Sequence, residues 1–217
     1  MEGFLEGRTN ERPLFLYVNL VDTHFPYDHA ELDDILHSER IGRSDIGSDR
    51  PKLVWEAYLN AVANVDRAIG RLLESLDKAL GADAYALVVT GDHGEAFYEE
   101  GFLGHGQTLD RVQSRVPLIV RGVGGDWPEP LGLADIRGLL GRHLPGAHPT
   151  SHPTFSPSAD RQIFQYMGDI SRPKRIALRS LERVVSHEFA AGAPETPPEG
   201  FDELIHAWEA LRNEAGH

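Results

Sequence analysis

Apolar residues recur along this chain in two rhythms. Short unbroken runs stand at Pro13-Leu14-Phe15-Leu16-Tyr17-Val18-Asn19-Leu20, at Ala84-Tyr85-Ala86-Leu87-Val88-Val89-Thr90 and at Val116-Pro117-Leu118-Ile119-Val120. Runs of this length, with β-branched and aromatic residues inside and polar residues outside, predict buried strands. Between the first two, Val54, Tyr58, Val62, Val65, Ile69, Leu72, Leu76 and Leu80 follow one another at spacings of three or four. That stripe predicts one long helix over 53–80, closed by Gly81 as its C-cap. Further on, the pattern predicts a short helix over 131–143, strands over 162–167, 175–179 and 183–187, and a last helix over 201–213. Strand, long helix, strand, strand, helix points to an α/β fold with a mostly parallel sheet flanked by helices and at least one crossover.

Composition narrows the function classes. Twenty-one basic against 34 acidic residues leave a formal charge of −13, which argues against nucleic acid as a partner, since no basic face dominates. Cysteine is absent, so disulfides, thiolate metal sites and cysteine nucleophiles are excluded. No window approaches ~18 consecutive apolar residues, so no membrane segment is expected. Residues 1–9 carry no apolar run of the signal-peptide kind, and the compartment stays unassigned. Two stretches read as loops, 147–159 rich in Pro, Ser, Thr and His, and 190–200 rich in Ala, Pro, Gly and Glu.

Candidate chemistry gathers where strands end. Val88-Val89-Thr90 runs straight into Gly91-Asp92-His93-Gly94-Glu95. Ligands of open α/β sheets sit at the carboxyl ends of strands. A carboxylate oxygen beside an imidazole nitrogen suits Zn²⁺ or Mn²⁺ and does not exclude Ca²⁺. The competing reading is a polar turn with Asp92 capping a following helix. Gly104-His105-Gly106 holds a histidine on an uncrowded turn, fit to reach a ligand or to be an ordinary loop residue. Asp22-Thr23-His24-Phe25-Pro26-Tyr27 places His24 at the end of the first predicted strand, and Pro26 forces Phe25 out of helical conformation. Lys52, Arg111 and Arg115 are cations able to attract an anion or to be solvated surface residues.

Taken in order, these segments resemble the carboxy-terminal half of the alkaline phosphatase/sulfatase superfamily. The resemblance runs from the Pro13–Val18 strand and the His24-Phe25-Pro26-Tyr27 loop, through Tyr58-Leu59-Asn60-Ala61-Val62 and Val65-Asp66-Arg67-Ala68-Ile69, to Thr90-Gly91-Asp92-His93-Gly94-Glu95. It continues through Gly104-His105-Gly106 and Arg115-Val116-Pro117-Leu118-Ile119-Val120 to Leu133-Ala134-Asp135-Ile136. It implies an incomplete alkaline-phosphatase-like α/β domain over 1–145, a loop over 146–160, and a small C-terminal antiparallel β/α subdomain over 161–217. It implies Asp92 and His93 as ligands of a divalent metal ion (Ca, Mn or Zn), and His24 and His105 as contacts to the anion or transition state. Glu95 would orient a ligand histidine or cap a helix.

The same resemblance implies a metal-dependent hydrolase or transferase acting on a sulfate- or phosphate-ester substrate. It also marks what is not found here. The family's nucleophile derives from Cys or Ser in a Cys/Ser-x-Pro-x-Arg motif, or is a Ser or Thr, in an earlier segment. No Ser-x-Pro-x-Arg is expected in this chain: Ser156-Pro157 and Ser171-Arg172-Pro173 are read as not fitting the motif, and they lie in the wrong region for it. The expectation is therefore a carboxy-terminal portion, inactive alone, whose unpaired strand edges are completed by a missing amino-terminal half or by a second copy. The alternative is a non-catalytic module that keeps the fold and binds an anion or a partner.

Overall fold

Helix propensity and punctuation explain the longest element. The computed structural model describes residues 4–5, 13–36, 39–47, 49–99, 101–124, 127–141, 161–191 and 196–214. In it α1 spans Pro51–Leu80, with Pro51 in the first turn, where its missing N–H is no loss. Gly81 ends the helix at φ 93°, donating its N–H to the Asp77 carbonyl at 2.9 Å. The chain divides into two units, Met1–Ala86 with Glu95–Gly104, and Leu87–Gly94 with His105–His217.

In the first unit, Val54 and Ala57 of α1 pack with Tyr27 and Ile41 into a core flanked by Phe25, Ile46, Leu53, Tyr58, Phe97 and Leu103. Two buried asparagines one helical turn apart fix the loop that crosses α1. The Asn60 Oδ1 accepts from the Ile35 and Leu36 N–H groups at 2.8 and 2.9 Å, and the Asn64 Oδ1 accepts from the Asp33 N–H at 3.1 Å. Both amides return a hydrogen bond to the Asp33 carbonyl, at 3.0 and 2.9 Å. Strands β2 (Ala96–Phe97) and β3 (Leu103–Gly104) form a minimal antiparallel pair.

In the second unit, β1 (Leu87–Thr90) pairs antiparallel with β4 (Leu118–Arg121), Leu87 opposite Arg121 and Thr90 opposite Leu118. The one-turn helix α2 (Arg111–Ser114) precedes β4, and α3 (Leu133–Gly141) follows it. Strands β5 (Ile163–Asp169), β6 (Arg172–Arg179) and β7 (Val184–Glu188) form an antiparallel sheet in the order β5-β6-β7. Helix α4 (Phe201–Glu214) lays Leu204 on Ile176, Leu178 and Val185, with Phe164, Phe189 and Trp208 around them.

The mostly parallel sheet is not formed: every pair of strands among the described residues is antiparallel, in three small sheets. No helical crossover separates β1 from β4; the intervening chain reverses, and reversal yields antiparallel pairing. The predicted strand over 13–20 forms no ladder, and Phe15 and Tyr17 stand 81% and 77% exposed. An apolar run becomes a buried strand only where neighbours cover both faces and pair both edges, and no described strand pairs with it. The predicted 147–159 loop lies outside the described residues.

Candidate functional site

The turn after β1 is built from Gly91, Asp92, His93 and Gly94. Asp92 caps no helix. Its Oδ1 accepts from the His93 N–H at 3.1 Å, and its carboxylate is 90% exposed. The His93 Nδ1 lies 2.9 Å from the Gly94 carbonyl. A carbonyl only accepts, so this contact assigns a proton to Nδ1, and in the neutral ring the lone pair is then on Nε2. That Nε2 faces the Asp92 Oδ2 at 3.7 Å. The His105 ring lies on the His93 ring, centroids 3.8 Å apart and planes tilted by 31°. Three of the four residues singled out from sequence, Asp92, His93 and His105, thus meet in the second unit.

The fourth, His24, belongs to the first unit. Its N–H donates to the Val21 carbonyl at 2.9 Å, its Nδ1 lies 2.9 Å from the Phe25 carbonyl, and its own carbonyl accepts from the Tyr27 N–H at 3.1 Å. This tight turn is completed by Tyr27 at φ 70°, with no exposed surface. The Tyr27 ring meets those of Phe25 and Tyr58 edge-on at 5.7 and 5.6 Å. Burial, then the adjacent Glu95 carboxylate, push the Tyr27 phenol well above its ordinary range. Glu95 caps no helix, since β2 starts at the next residue.

The support beneath Asp92, His93 and His105 is α2, which sequence reasoning passed over. Asp110 is its N-cap, its Oδ1 accepting from the Gln113 N–H at 3.0 Å. Burial acts to raise the Asp110 carboxyl. Hydrogen bonds from Thr108, from the Gln113 and Val112 N–H groups and from the Gln113 side chain outweigh it and hold the carboxyl below its ordinary range. Gln113 is 5% exposed, and a buried amide is the one structural signal that it matters. Of the cations considered from sequence, Lys52 pairs with Glu56 at 3.5 Å within α1, and Arg111 and Arg115 are exposed. Arg111 lies close enough to Arg179 to help lower its guanidinium, burial being the larger cause.

A divalent cation fits this donor set in kind. Asp92 supplies a hard oxygen and His93 a nitrogen whose partner nitrogen is already hydrogen-bonded. In number the set is half a shell, because a closed tetrahedral site takes four ligands. Among the described residues no group of three or more His, Asp or Glu side chains is placed to hold a metal ion. Read to five residues, Ser171-Arg172-Pro173-Lys174-Arg175 matches the Ser-x-Pro-x-Arg spacing. The structure makes it the β5–β6 hairpin: the Ser171 Oγ donates to the Asp169 Oδ1 at 2.6 Å, and the Arg175 guanidinium pairs with Glu188 at 2.6 Å. Among the described residues, no helix is long and apolar enough to cross a membrane.

No curated protein matches this chain. Among solved structures it is similar to BT4656 in complex with its substrate D-glucosamine-2-N,6-O-disulfate, at 18% sequence identity and a TM-score of 0.48. The match covers 75% of this chain and 41% of that one, so the matched part spans less than half the length of that protein. The family model described as Sulfatase matches residues 1–129. That is more than half of the 217 residues, and the chain belongs to the sulfatase family.

Proposed function

We propose that this chain carries part of the site of a metal-dependent sulfatase-like ester hydrolase or transferase, with the nucleophile supplied from outside it. Sulfatases are typically metal-dependent, and Asp92 and His93 are the residues that would hold the cation. When bound, such an ion supplies positive charge to an ester oxygen and to the attacking group. The chain's own contribution is orientation. The Gly94 carbonyl keeps the His93 proton on Nδ1, so that Nε2 is the ligating atom. His105 contacts the anion or the charge that develops on it. His24 is assigned the same kind of contact on the family resemblance.

One observation carries this reading: the His93 and His105 rings lie 3.8 Å apart, with the Asp92 carboxylate 3.7 Å from the His93 Nε2. The exposed apolar run at Phe15, Tyr17 and Val21 supports a strand partner, either the family's amino-terminal half or a second copy. The reading is tested by titrating the chain with Mn²⁺ or Zn²⁺ while following the histidine rings, and by assaying an aryl sulfate and an aryl phosphate. The expected result is weak binding lost in Asp92→Ala, with negligible turnover. Binding that survives in Asp92→Ala sinks the ligand assignment. Metal-dependent turnover by the chain alone sinks the external nucleophile.

A second reading draws on the half-filled donor set. A chain that keeps the fold and binds an anion without turnover needs no complete shell. Sulfate or phosphate binding that shifts the His105 ring signals with no metal present, together with no response to Mn²⁺, favours it.

A further inference from the structure

We infer that Gln113 is the positioning residue that sets His93 against His105; this rests on the reading above that both histidines serve the site. Two rings on separate loops hold a centroid distance of 3.8 Å only if both loops are tied to one support. Both loops end on Gln113. On the His93 side, the Gly94 N–H donates to the Gln113 carbonyl at 2.7 Å. On the His105 side, the Gln107 N–H donates to the Gln113 Oε1 at 3.2 Å, and the Thr108 N–H approaches the same oxygen at 3.5 Å. The amide nitrogen completes the set, donating to the Thr108 Oγ1 at 2.5 Å and to the Asp110 Oδ2 at 3.3 Å.

The chemistry selects glutamine. The position needs an acceptor for main-chain N–H groups and a donor toward a hydroxyl and a carboxylate, in a place sealed from water. A carboxylate at 113 keeps the acceptor and faces Asp110 with like charge. An aliphatic side chain leaves the loop N–H groups without their acceptor. The support extends outward. The Arg179 guanidinium on β6 donates to the Leu109 carbonyl at 3.0 Å and to the Ser114 Oγ at 3.4 Å, and its Nε donates to the Gln165 Oε1 at 3.2 Å. Helix α2 is thereby fastened to the three-stranded sheet, and Gln113 passes that rigidity to both histidine loops.

The test is the ring contact itself, read by NMR on the full chain labelled in its histidine side chains and kept free of metal. The native chain is expected to show a cross-peak between the His93 and His105 ring protons, and its absence there overturns the inference. In Gln113→Ala the cross-peak is expected to vanish while the β5–β7 amide signals persist, and a retained cross-peak overturns the inference. Gln113→Glu, which keeps the acceptor, is expected to recover part of the contact; no recovery beyond Gln113→Ala overturns the hydrogen-bond account. Should Gln113→Ala not fold, Thr108→Val removes the hydroxyl partner of Nε2 together with that hydroxyl's hydrogen bond to Asp110, and leaves the Gln113 side chain in place: a weakened cross-peak supports the role and an unchanged one overturns it. Mn²⁺ added afterwards to the native chain reports on the cation site separately. A ring contact without any Mn²⁺ response sinks the functional reading and leaves the positioning role standing.

Discussion

The Gly94 N–H donates to the Gln113 carbonyl at 2.7 Å, and a Cβ placed on Gly94 would lie 1.9 Å from the Val112 carbonyl oxygen. That distance is far inside van der Waals contact, and the obstacle is backbone rather than a movable side-chain tip. Glycine at 94 is therefore a requirement of close approach. Gly94→Ala is expected to push the Asp92-His93 turn off α2 and to cost about 1–3 kcal/mol, the range for overpacked sites. Urea unfolding measures the cost, and an unchanged midpoint contradicts the contact.

Asp110 makes the same region acid-sensitive. Its folded carboxyl is held below the ordinary value of 3.8, so its contribution to stability is complete above that value and is lost as pH falls through the folded value. Asp110→Asn keeps an acceptor for the Gln113 N–H and removes the charge. Its unfolding midpoint is expected to fall less steeply than the native one as pH drops below 3.8. Parallel pH profiles for the two chains contradict this.

At the alkaline end the relevant group is Tyr27. Its phenol is raised above the ordinary value of 10.0. The folded chain keeps this proton at pH values where the unfolded chain gives it up. Stability is thus full below 10.0 and declines as pH rises above it, by at most about 1.4 kcal/mol per pH unit for one group. Tyr27→Phe is expected to flatten that decline. Tyrosinate absorbance followed against pH, alongside unfolding by circular dichroism, decides it: ionisation of Tyr27 near pH 10.0 in the folded chain contradicts the prediction.

The C-terminal sheet depends on α4 for cover. Leu204 has no exposed surface and closes the core over Ile176, Leu178 and Val185. Leu204→Ala is expected to cost about 2–5 kcal/mol, as other buried leucine truncations do. Amide exchange in β5–β7 is the direct measure, and native-like protection in the variant contradicts the packing.

The elements that could be read directly are those whose cause is local. A stripe at spacings of three and four from Val54 to Leu80, bounded by Pro51 and Gly81, can form only one structure, and α1 spans Pro51–Leu80. The C-terminal strands were legible from their short apolar runs, with ends shifted by a few residues because ladders stop where a partner stops. Asp92 and His93 stood out because a strand delivers them. His105 stood out between two glycines. Gln113 carried no such mark, since a glutamine in a polar stretch looks like surface until the loops that donate to it are in place.

What this chain's residues determine alone is helix, strand and turn, and the supply of carboxylate and imidazole donors at strand ends and glycine turns. The absence of cysteine likewise settled which nucleophile the chain does not bring. Tertiary structure decided which strands met and in which direction. The run over 13–20 has the composition of a central strand and lies exposed at Phe15 and Tyr17, while β1 and β4, expected in a parallel sheet, pair antiparallel. Propensity describes one segment at a time, whereas pairing and burial are properties of two surfaces that must both be present.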